Sequence, residues 1–231
     1  MKKRIAFSDL HGQYNLWTAI KNYYNKDDIL IFLGDACDRG PDGIKIMQEL
    51  LADPRVIYIR GNHEDMFLNF VDKGLDNLNI SDEELAKYNG CTPTLEAFRN
   101  LEEQEQKSLV SQLKRKLQFS YIYINKEKKN IFLSHAGIDF SEIGTDDFNK
   151  LIWNRYATIE KPWDNKYKYW YIIHGHTPTP TLIPNSNIPK ILRYENNHKI
   201  DIDLASFVTH TIAAIDLDTL QVKYFKDLLG I

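Results

Sequence analysis

Five short apolar runs, each ending in a polar segment that contains glycine, constrain this sequence more than any other feature. The runs cover residues 4–7, 29–33, 56–59, 131–133 and 170–173. Their β-branched and aromatic residues predict buried strands. Helix-length segments, at about 13–24 and 42–51, separate the first three runs. This β-α-β-α-β order predicts an α/β fold with a largely parallel sheet.

The segments that follow the five runs share one composition. Each places Asp, Asn or His beside a glycine: SDLHG at 8–12, GDACDRG at 34–40, RGNHE at 60–64, SHAG at 134–137 and HGHT at 174–177. Ligands of open α/β sheets bind at the carboxyl ends of the strands, and glycine lets the chain turn sharply there. We therefore expect these polar side chains to converge on one site.

Carboxylate, imidazole and amide groups dominate this set of candidate ligands. Such donors suit hard or borderline divalent cations, among which Mn, Fe and Zn are the candidates. The segments offer more donors than one ion needs. Two ions about 3.5–4 Å apart, bridged by a shared carboxylate, would use them all. The sequence thus predicts a dinuclear metal site at the carboxyl ends of the strands.

Taken in order, the motifs resemble those of a known family. D-x-H-G, G-D-x-x-D-R-G, G-N-H-E, H-A-G and G-H-T are similar to the motifs of the phosphoprotein phosphatases, which are calcineurin-like metallophosphoesterases, and the chain length is similar to that of the bacterial and bacteriophage lambda-phosphatase-like branch. The resemblance spans roughly residues 4–180. It implies a central β-sandwich of mixed sheets flanked by helices.

The resemblance also implies a set of metal ligands. Two divalent ions would be bound, with Mn expected and Fe or Zn as alternatives. The first ion would be held by Asp9, His11 and Asp35. Asp35 would also bridge to the second ion, whose other ligands would be Asn62, His135 and His176. The Glu64 carboxylate is expected to have a structural role, and His174 to form hydrogen bonds, rather than to bind metal.

Four further residues resemble the family's catalytic groups. His63 matches the catalytic imidazole and Asp38 its partner, while Arg39 and Arg155, the latter in a W-x-R element at 153–155, match phosphate-binding arginines. A water that bridges two dications loses its proton near neutral pH, and the hydroxide attacks phosphorus in line. A positioned imidazolium then protonates the leaving group, and arginine forks match phosphate oxygens.

Three positions depart from the family's pattern. Ser8 replaces a glycine, Gly90-Cys91 stands where related chains often carry Gly-Gly, and Asp203-Leu204-Ala205 stands where many bacterial members carry Asp-Thr-Gly. We expect the small change at Ser8 to be tolerated, whereas the other two departures concern the substrate rim and the placement of the C-terminal strand.

The sequence shows no internal repeat or linker, so we predict a single domain over residues 1–231 with a helical excursion at about 66–118. Ser81 to Glu84 fit a capping box that would begin a helix. A hairpin is predicted at 121–124 and 131–133, a proline-rich loop at 177–189, and an antiparallel pair of strands at 207–215 and 220–225.

Composition excludes some classes of function. The net charge of −3 gives no attraction to nucleic acid or to an anionic membrane. The two cysteines are too few for a disulfide scaffold. No apolar stretch has the length of a transmembrane helix, and the start of the chain lacks the apolar run of a secretory signal. A cytoplasmic protein is expected.

Four functions compete. The preferred one is a phosphomonoesterase acting on phosphoprotein Ser/Thr, with dual specificity left open, or on a small phosphomonoester. A symmetrical dinucleoside tetraphosphate hydrolase is the alternative; Asp38 and Glu64 argue against it because those enzymes usually lack the second Asp and read G-N-H-D. A diesterase would need a second His where Pro178 stands, and a metal-free binding module would have lost some of the matched residues. The oligomeric state is left open.

Overall fold

The computed structural model describes residues 2–155, 164–183 and 188–227. Its strands are β1 Arg4–Phe7, β2 Ile29–Phe32, β3 Val56–Tyr58, β4 Ser120–Ile124, β5 Asn130–Ser134, β6 Trp170–His174, β7 Leu192–Tyr194, β8 Lys199–Asp201, β9 Thr211–Asp216 and β10 Val222–Lys226. All five apolar runs are strands, and the predicted hairpin is β4 and β5. The β-branched and aromatic content of the runs is therefore a sufficient signal here.

Within the described residues, the strands form two five-stranded sheets. The first has the order β10-β9-β1-β2-β3, in which β1, β2 and β3 are parallel and β9 and β10 are antiparallel. The second has the order β4-β5-β6-β8-β7, with β5, β6 and β8 parallel and the two edge strands antiparallel. Both sheets are therefore mixed, and each has a parallel centre.

The two sheets pack face to face. Ala6 and Ile31 of the first sheet belong to one buried cluster with Ile131, Leu133 and Ile173 of the second. Residues two apart along a strand share a face, so this cluster is the inner layer of a β-sandwich. The prediction of a central sandwich of mixed sheets is confirmed. Because β1, β2, β3, β5 and β6 all end toward the same edge, the five polar segments meet there.

Helices cover the outer faces. They are α1 Tyr14–Tyr23, α2 Gly43–Ala52, α3 Asn62–Lys73, α4 Ile80–Tyr88, α5 Thr92–Arg99, α6 Glu103–Lys116, α7 Phe148–Trp153, α8 Thr179–Leu182 and α9 Ser206–Thr209. On the first sheet, Phe7 stacks on Trp17 of α1, with ring centroids 6.0 Å apart. On the second, Phe132 and Ile172 pack with Leu151 of α7. None of the described helices is both long and apolar enough to cross a membrane.

Three predicted details need correction. The helical excursion is four helices, and the second begins with Asn79 as its cap, not at Ser81: the Asn79 side chain accepts a hydrogen bond from the Asp82 N–H at 2.9 Å. The proline-rich loop contains α8, with residues 184–187 outside the described part of the chain. The penultimate strand begins at Thr211 rather than at 207, because α9 occupies the preceding residues.

Candidate metal centre

The predicted site residues lie together at the carboxyl ends of the strands. Asp9 and His11 follow β1; Asp35, Asp38 and Arg39 follow β2; Asn62 and His63 begin α3; His135 follows β5 and His176 follows β6. Every carboxylate, imidazole and amide in this set is buried. Buried polar groups need partners, and the partners here are largely one another.

The loops that carry these residues are hydrogen-bonded to each other along the backbone. The Asp9 N–H donates to the Gly34 carbonyl at 3.0 Å, and the His11 N–H donates to the Asp35 carbonyl at 2.9 Å. Six of the site residues have the left-handed backbone: Asp9, His11, Asp35, Asp38, Arg39 and His176, with φ between 43° and 70°. That conformation costs about 1–2 kcal/mol for a non-glycine residue. Such strain persists where the surroundings impose it, and it clusters at functional sites.

Glu64 ties the β2 and β3 loops together. Its carboxylate accepts hydrogen bonds from the backbone N–H groups of Asp35 at 2.9 Å, Ala36 at 2.7 Å and Gly61 at 2.8 Å, and from the Tyr58 hydroxyl at 2.9 Å. The carboxylate is fully engaged with protein donors. Glu64 therefore positions Asp35 and does not face a ligand.

Two glycines leave room for the site carboxylates. A Cβ on Gly61 would lie 2.1 Å from Asp35 Oδ1, and a Cβ on Gly175 would lie 2.1 Å from Asp9 Oδ2. Both distances are far below van der Waals contact. The G-N-H-E and G-H-T motifs thus need glycine for a close approach of backbone to carboxylate.

Asp9, His11 and Asp35 form the first donor group. His11 Nε2 lies 3.6 Å from Asp35 Oδ2 and 3.9 Å from Asp9 Oδ1. The His11 Nδ1–H donates to the Cys37 carbonyl at 3.0 Å, which directs the lone pair of Nε2 toward the carboxylates. Burial and the nearby Arg39 hold the pKa of His11 well below its usual value, so the ring is neutral.

Asp35, Asn62, His135 and His176 form the second donor group. His135 Nε2, His176 Nδ1 and Asn62 Oδ1 lie 2.9–3.1 Å from one another. Asp35 Oδ2 lies 3.4 Å from His135 Nε2, so one carboxylate oxygen belongs to both groups. The His135 Nδ1–H donates to the Leu33 carbonyl at 2.8 Å and thereby orients the ring.

The electrostatics of the two groups favour a bound cation. Burial lowers the pKa of His135, but the Asp35 carboxylate outweighs it and the pKa rises to about 9. Burial and the neighbouring Asp203 raise the pKa of Asp9 well above its usual value. The Asp9 Oδ1 atom is buried and has no hydrogen-bond partner in the described part of the chain. A concentration of buried negative charge with an unpaired oxygen is what a metal ion would stabilise.

The donor chemistry fits divalent metal ions. The two triads His11, Asp35, His63 and Asp35, His135, His176 each place candidate ligand atoms within 4.8 Å of one another. The rings of His11 and His135 are oriented by the backbone carbonyls of Cys37 and Leu33, as metal-binding histidines usually are. The residues present therefore fit the cofactor that the sequence predicts, whose identity the geometry leaves open.

His63 stands between the donor groups and Asp38. Its Nδ1 lies 2.6 Å from Asp38 Oδ2, and its Nε2 lies 3.8 Å from Asp35 Oδ2. The ring is also fixed through the backbone, because the His63 N–H donates to Asp35 Oδ1 at 3.1 Å. The arrangement presents Nε2 to the space beside the candidate metal ligands.

Two arginines reach the site from different elements. Arg39 Nη1 donates to His11 Nε2 at 2.6 Å, and Nη2 to His63 Nε2 at 3.2 Å. Arg155 Nη1 donates to the His176 carbonyl at 2.9 Å. All ten predicted site residues are thus brought together.

His174 contacts other groups than the donor residues. Its Nδ1 contacts the Gly175 carbonyl at 3.0 Å and its Nε2 the Tyr194 hydroxyl at 2.5 Å, away from the donor groups.

The sequence analysis missed two neighbours of the site. Phe207 of α9 lies under the Arg39 guanidinium, 4.5 Å from ring centroid to Cζ, and meets the His11 ring edge-on at 5.5 Å. Asp203 is buried, and burial raises its pKa to about 6. Asp203 was noted only as a departure from a motif, and nothing in the sequence around Phe207 marks it.

The two-sheet sandwich with clustered Asp and His side chains at one edge defines the metallophosphoesterase class. In agreement, the model of the calcineurin-like phosphoesterase family matches residues 3–212, and the chain belongs to that family. It is a metallophosphoesterase, and hence a hydrolase.

The relatives are named for more than one activity. The chain is 25% identical over 221 residues, covering 84% of this chain and 80% of the relative, to bis(5′-nucleosyl)-tetraphosphatase PrpE (asymmetrical) of Oceanobacillus iheyensis. It is 36% identical over 73 residues, 30% of this chain and 33% of the relative, to serine/threonine-protein phosphatase 2 of Escherichia coli. A solved putative diadenosine tetraphosphatase has a TM-score of 0.62 at 15% identity, covering 99% of this chain and 95% of that one. That structural likeness concerns the fold.

Proposed function

We propose that this protein is a metal-dependent phosphomonoesterase that removes phosphate from Ser and Thr side chains of phosphoproteins and from small alkyl phosphates. The observation that carries the proposal is the His63–Asp38 pair, with Nδ1 and Oδ2 2.6 Å apart at the edge of the donor groups. An alkoxide is a poor leaving group and needs a proton as it departs. General acid catalysis by a positioned imidazole contributes about 10²–10⁴-fold in such a step.

Six residues would hold two divalent ions, with Mn as the proposed metal: Asp9, His11 and Asp35 for one, and Asp35, Asn62, His135 and His176 for the other. Such ions, when bound, lower the pKa of water and offset the charge of a phosphoryl group. The chain's own contribution is to fix the ligand geometry through Glu64, which holds the backbone of Asp35 at 2.9 Å.

His63 would donate its proton from Nε2 to the departing oxygen. The Asp38 carboxylate on Nδ1 orients the ring and stabilises its protonated form, as a carboxylate does for imidazole in other hydrolases. Arg39 and Arg155 would bind the non-bridging phosphate oxygens, because a guanidinium fork matches two oxygens at once. Arg39 would leave the Nε2 atoms of both His11 and His63 to do so, which frees His63 Nε2 to carry the proton.

Asymmetrical hydrolysis of dinucleoside tetraphosphates is the second candidate. It is favoured by the likeness to relatives named for that activity, over 84% of this chain. These relatives are named for asymmetrical hydrolysis of the tetraphosphate, whereas the sequence analysis considered symmetrical hydrolysis. Glu64 no longer argues against a tetraphosphatase, because its carboxylate is engaged by backbone donors and does not meet the substrate. The acid pair still favours alkyl esters, since a nucleotide leaves as a stable phosphate anion without a proton.

One assay separates the two candidates. Metal is removed with a chelator, Mn²⁺ is added back, and turnover is measured on a phosphoserine peptide, 4-nitrophenyl phosphate, a dinucleoside tetraphosphate and an aryl phosphodiester. We expect Mn²⁺-dependent cleavage of the first two. Activity confined to the tetraphosphate would replace the first proposal by the second, and activity on none would refute both.

His63→Asn sharpens the test. It should cut turnover of the phosphoserine peptide about 10²-fold or more, while metal content stays unchanged because His63 is not among the proposed ligands. Turnover of 4-nitrophenyl phosphate should fall far less, because its leaving group needs no proton. Loss of both metal ions from this variant would contradict the acid role.

A further inference from the structure

The thiol of Cys91 meets the acid pair. Cys91 Sγ lies 3.1 Å from Asp38 Oδ2, the same oxygen that lies 2.6 Å from His63 Nδ1. The other oxygen, Asp38 Oδ1, is buried and has no hydrogen-bond partner within the ranges that the structure describes. The orientation of the Asp38 carboxylate is therefore set by two donors on one oxygen.

A rigid element delivers this thiol. Cys91 is the N-terminal cap residue of α5 and is 1% exposed. Its N–H donates to the Ala86 carbonyl at 2.9 Å, and its carbonyl accepts from the Leu95 N–H at 3.0 Å. The thiol consequently has little freedom to leave Asp38.

The start of α5 contacts the Asp38 loop at two further points. The Asp38 N–H donates to Thr94 Oγ1 at 2.8 Å, and the Arg39 N–H donates to the Gly90 carbonyl at 2.8 Å. These two bonds hold the backbone of the loop, whereas the Cys91 thiol is the contact that reaches the carboxylate. Backbone placement and carboxylate orientation are thus determined by different groups.

The thiol acts as a donor. Burial, and then the negative Asp38, raise the pKa of Cys91 well above its usual value, so that it keeps its proton. Asp38, His63 and Cys91 also have the composition of a metal site, but their contacts, at 2.6 and 3.1 Å to Asp38 Oδ2, have the geometry of hydrogen bonds. The arrangement is a hydrogen-bonded chain from Cys91 through Asp38 to His63.

We infer that Cys91 is a positioning residue, which holds the Asp38 carboxylate in the orientation that directs His63 toward the leaving group. The inference rests on the proposed phosphomonoesterase function and adds to it a residue at a position where related chains often carry glycine. A glycine there offers no side-chain donor. The carboxylate would then be held by His63 alone.

The test compares two leaving groups. Turnover of a phosphoserine peptide and of 4-nitrophenyl phosphate is measured for the unmodified protein, Cys91→Ala, Cys91→Ser and His63→Asn, each loaded with Mn²⁺. Cys91→Ala should lower kcat on the peptide by about tenfold, the effect of losing one hydrogen bond to a charged group, and on the aryl ester by less than about twofold. Cys91→Ser keeps a donor and should recover most of the peptide activity.

Two control variants, Cys91→Val and His63→Asn, make the result decisive. Cys91→Val fills the space without donating, and should behave as Cys91→Ala does even where the cavity left by Ala loosens the fold. Equal loss on both esters, or no recovery by Cys91→Ser, would overturn the inference, because a purely structural role slows both substrates alike. If His63→Asn itself slows the two esters equally, the proposed acid role fails first and the inference falls with it.

Discussion

The two donor groups of the site differ in which sheet supplies them. Asp9, His11 and Asp35 all follow strands of the first sheet, whereas the second group joins Asn62 and Asp35 to His135 and His176 of the second sheet. The first group is fixed by hydrogen bonds between adjacent loops. The second group also depends on how the two sheets pack. The side chains of the first group therefore come from one sheet, although Asp9 Oδ2 also accepts from the His176 N–H at 3.2 Å. The side chains of the second group come from both sheets.

The largest effect is expected from Asp35→Asn, because Asp35 Oδ2 belongs to both groups. The variant should lose far more activity than the roughly 10–100-fold that loss of an outer partner of a metal ligand costs. Metal analysis by plasma mass spectrometry should show reduced occupancy of both ions. A protein that retained two tightly bound ions would contradict the shared role.

Asp9→Asn and His176→Asn separate the groups. Each should reduce the bound metal by one ion, because each removes a ligand from one group only. Their activities should lie above that of Asp35→Asn. Titration of the chelated proteins with Mn²⁺, followed calorimetrically, should show one intact tight site in each variant. Loss of both sites in either variant would mean that the groups do not bind independently.

A pair of core substitutions tests the dependence on sheet packing. Leu133 lies between the sheets two residues before His135, and Leu30 lies on the helix-covered face of the first sheet; both are fully buried. Leu133→Ala and Leu30→Ala should each lower the free energy of unfolding by about 2–5 kcal/mol, measured by urea denaturation. Leu133→Ala should in addition weaken Mn²⁺ binding at the second group. Equal effects of both variants on Mn²⁺ binding would contradict that dependence.

The strands and motif loops of the site differ from the segment around α9 in how much the sequence reveals. The strands before the site are short runs of β-branched residues, and β1 occupies the predicted residues 4–7. The loops after them carry motifs in which Gly61 and Gly175 have a steric reason, because a Cβ at either position would meet a site carboxylate. The convergence of their side chains follows from parallel strands ending at one edge. The roles of the individual residues remain predictions.

The sequence reveals less about the segment around α9, which contacts the site through Phe207. Ala205 and His210 flank α9 with left-handed backbone, at φ 54° and 49°. Neither is Gly or Asn, the residues that usually mark this conformation, so no local signal separates α9 from the strand that follows. At Asn79 two local signals compete, and the side chain that reaches the Asp82 N–H determines where the helix begins. Such outcomes depend on contacts made only in the folded chain.

The smallest effect is expected from a substitution at Phe207 of α9. Phe207→Ala removes the ring that supports the Arg39 guanidinium at 4.5 Å. A cation–π contact at a partly exposed site is worth about 0.5–1 kcal/mol, or a two- to fivefold change in affinity, so KM for the phosphoserine peptide should rise by that factor while kcat changes little. Inorganic phosphate should inhibit correspondingly less well.

Val208→Ala is the matched control, since Val208 is the next residue of α9 and is 64% exposed. It should leave both constants unchanged. Phe207→Leu keeps bulk without the aromatic face and should resemble Phe207→Ala if the ring acts through Arg39. Unchanged KM in Phe207→Ala would mean that Arg39 is positioned by the left-handed β2 loop alone. The position of Arg39 would then be independent of α9.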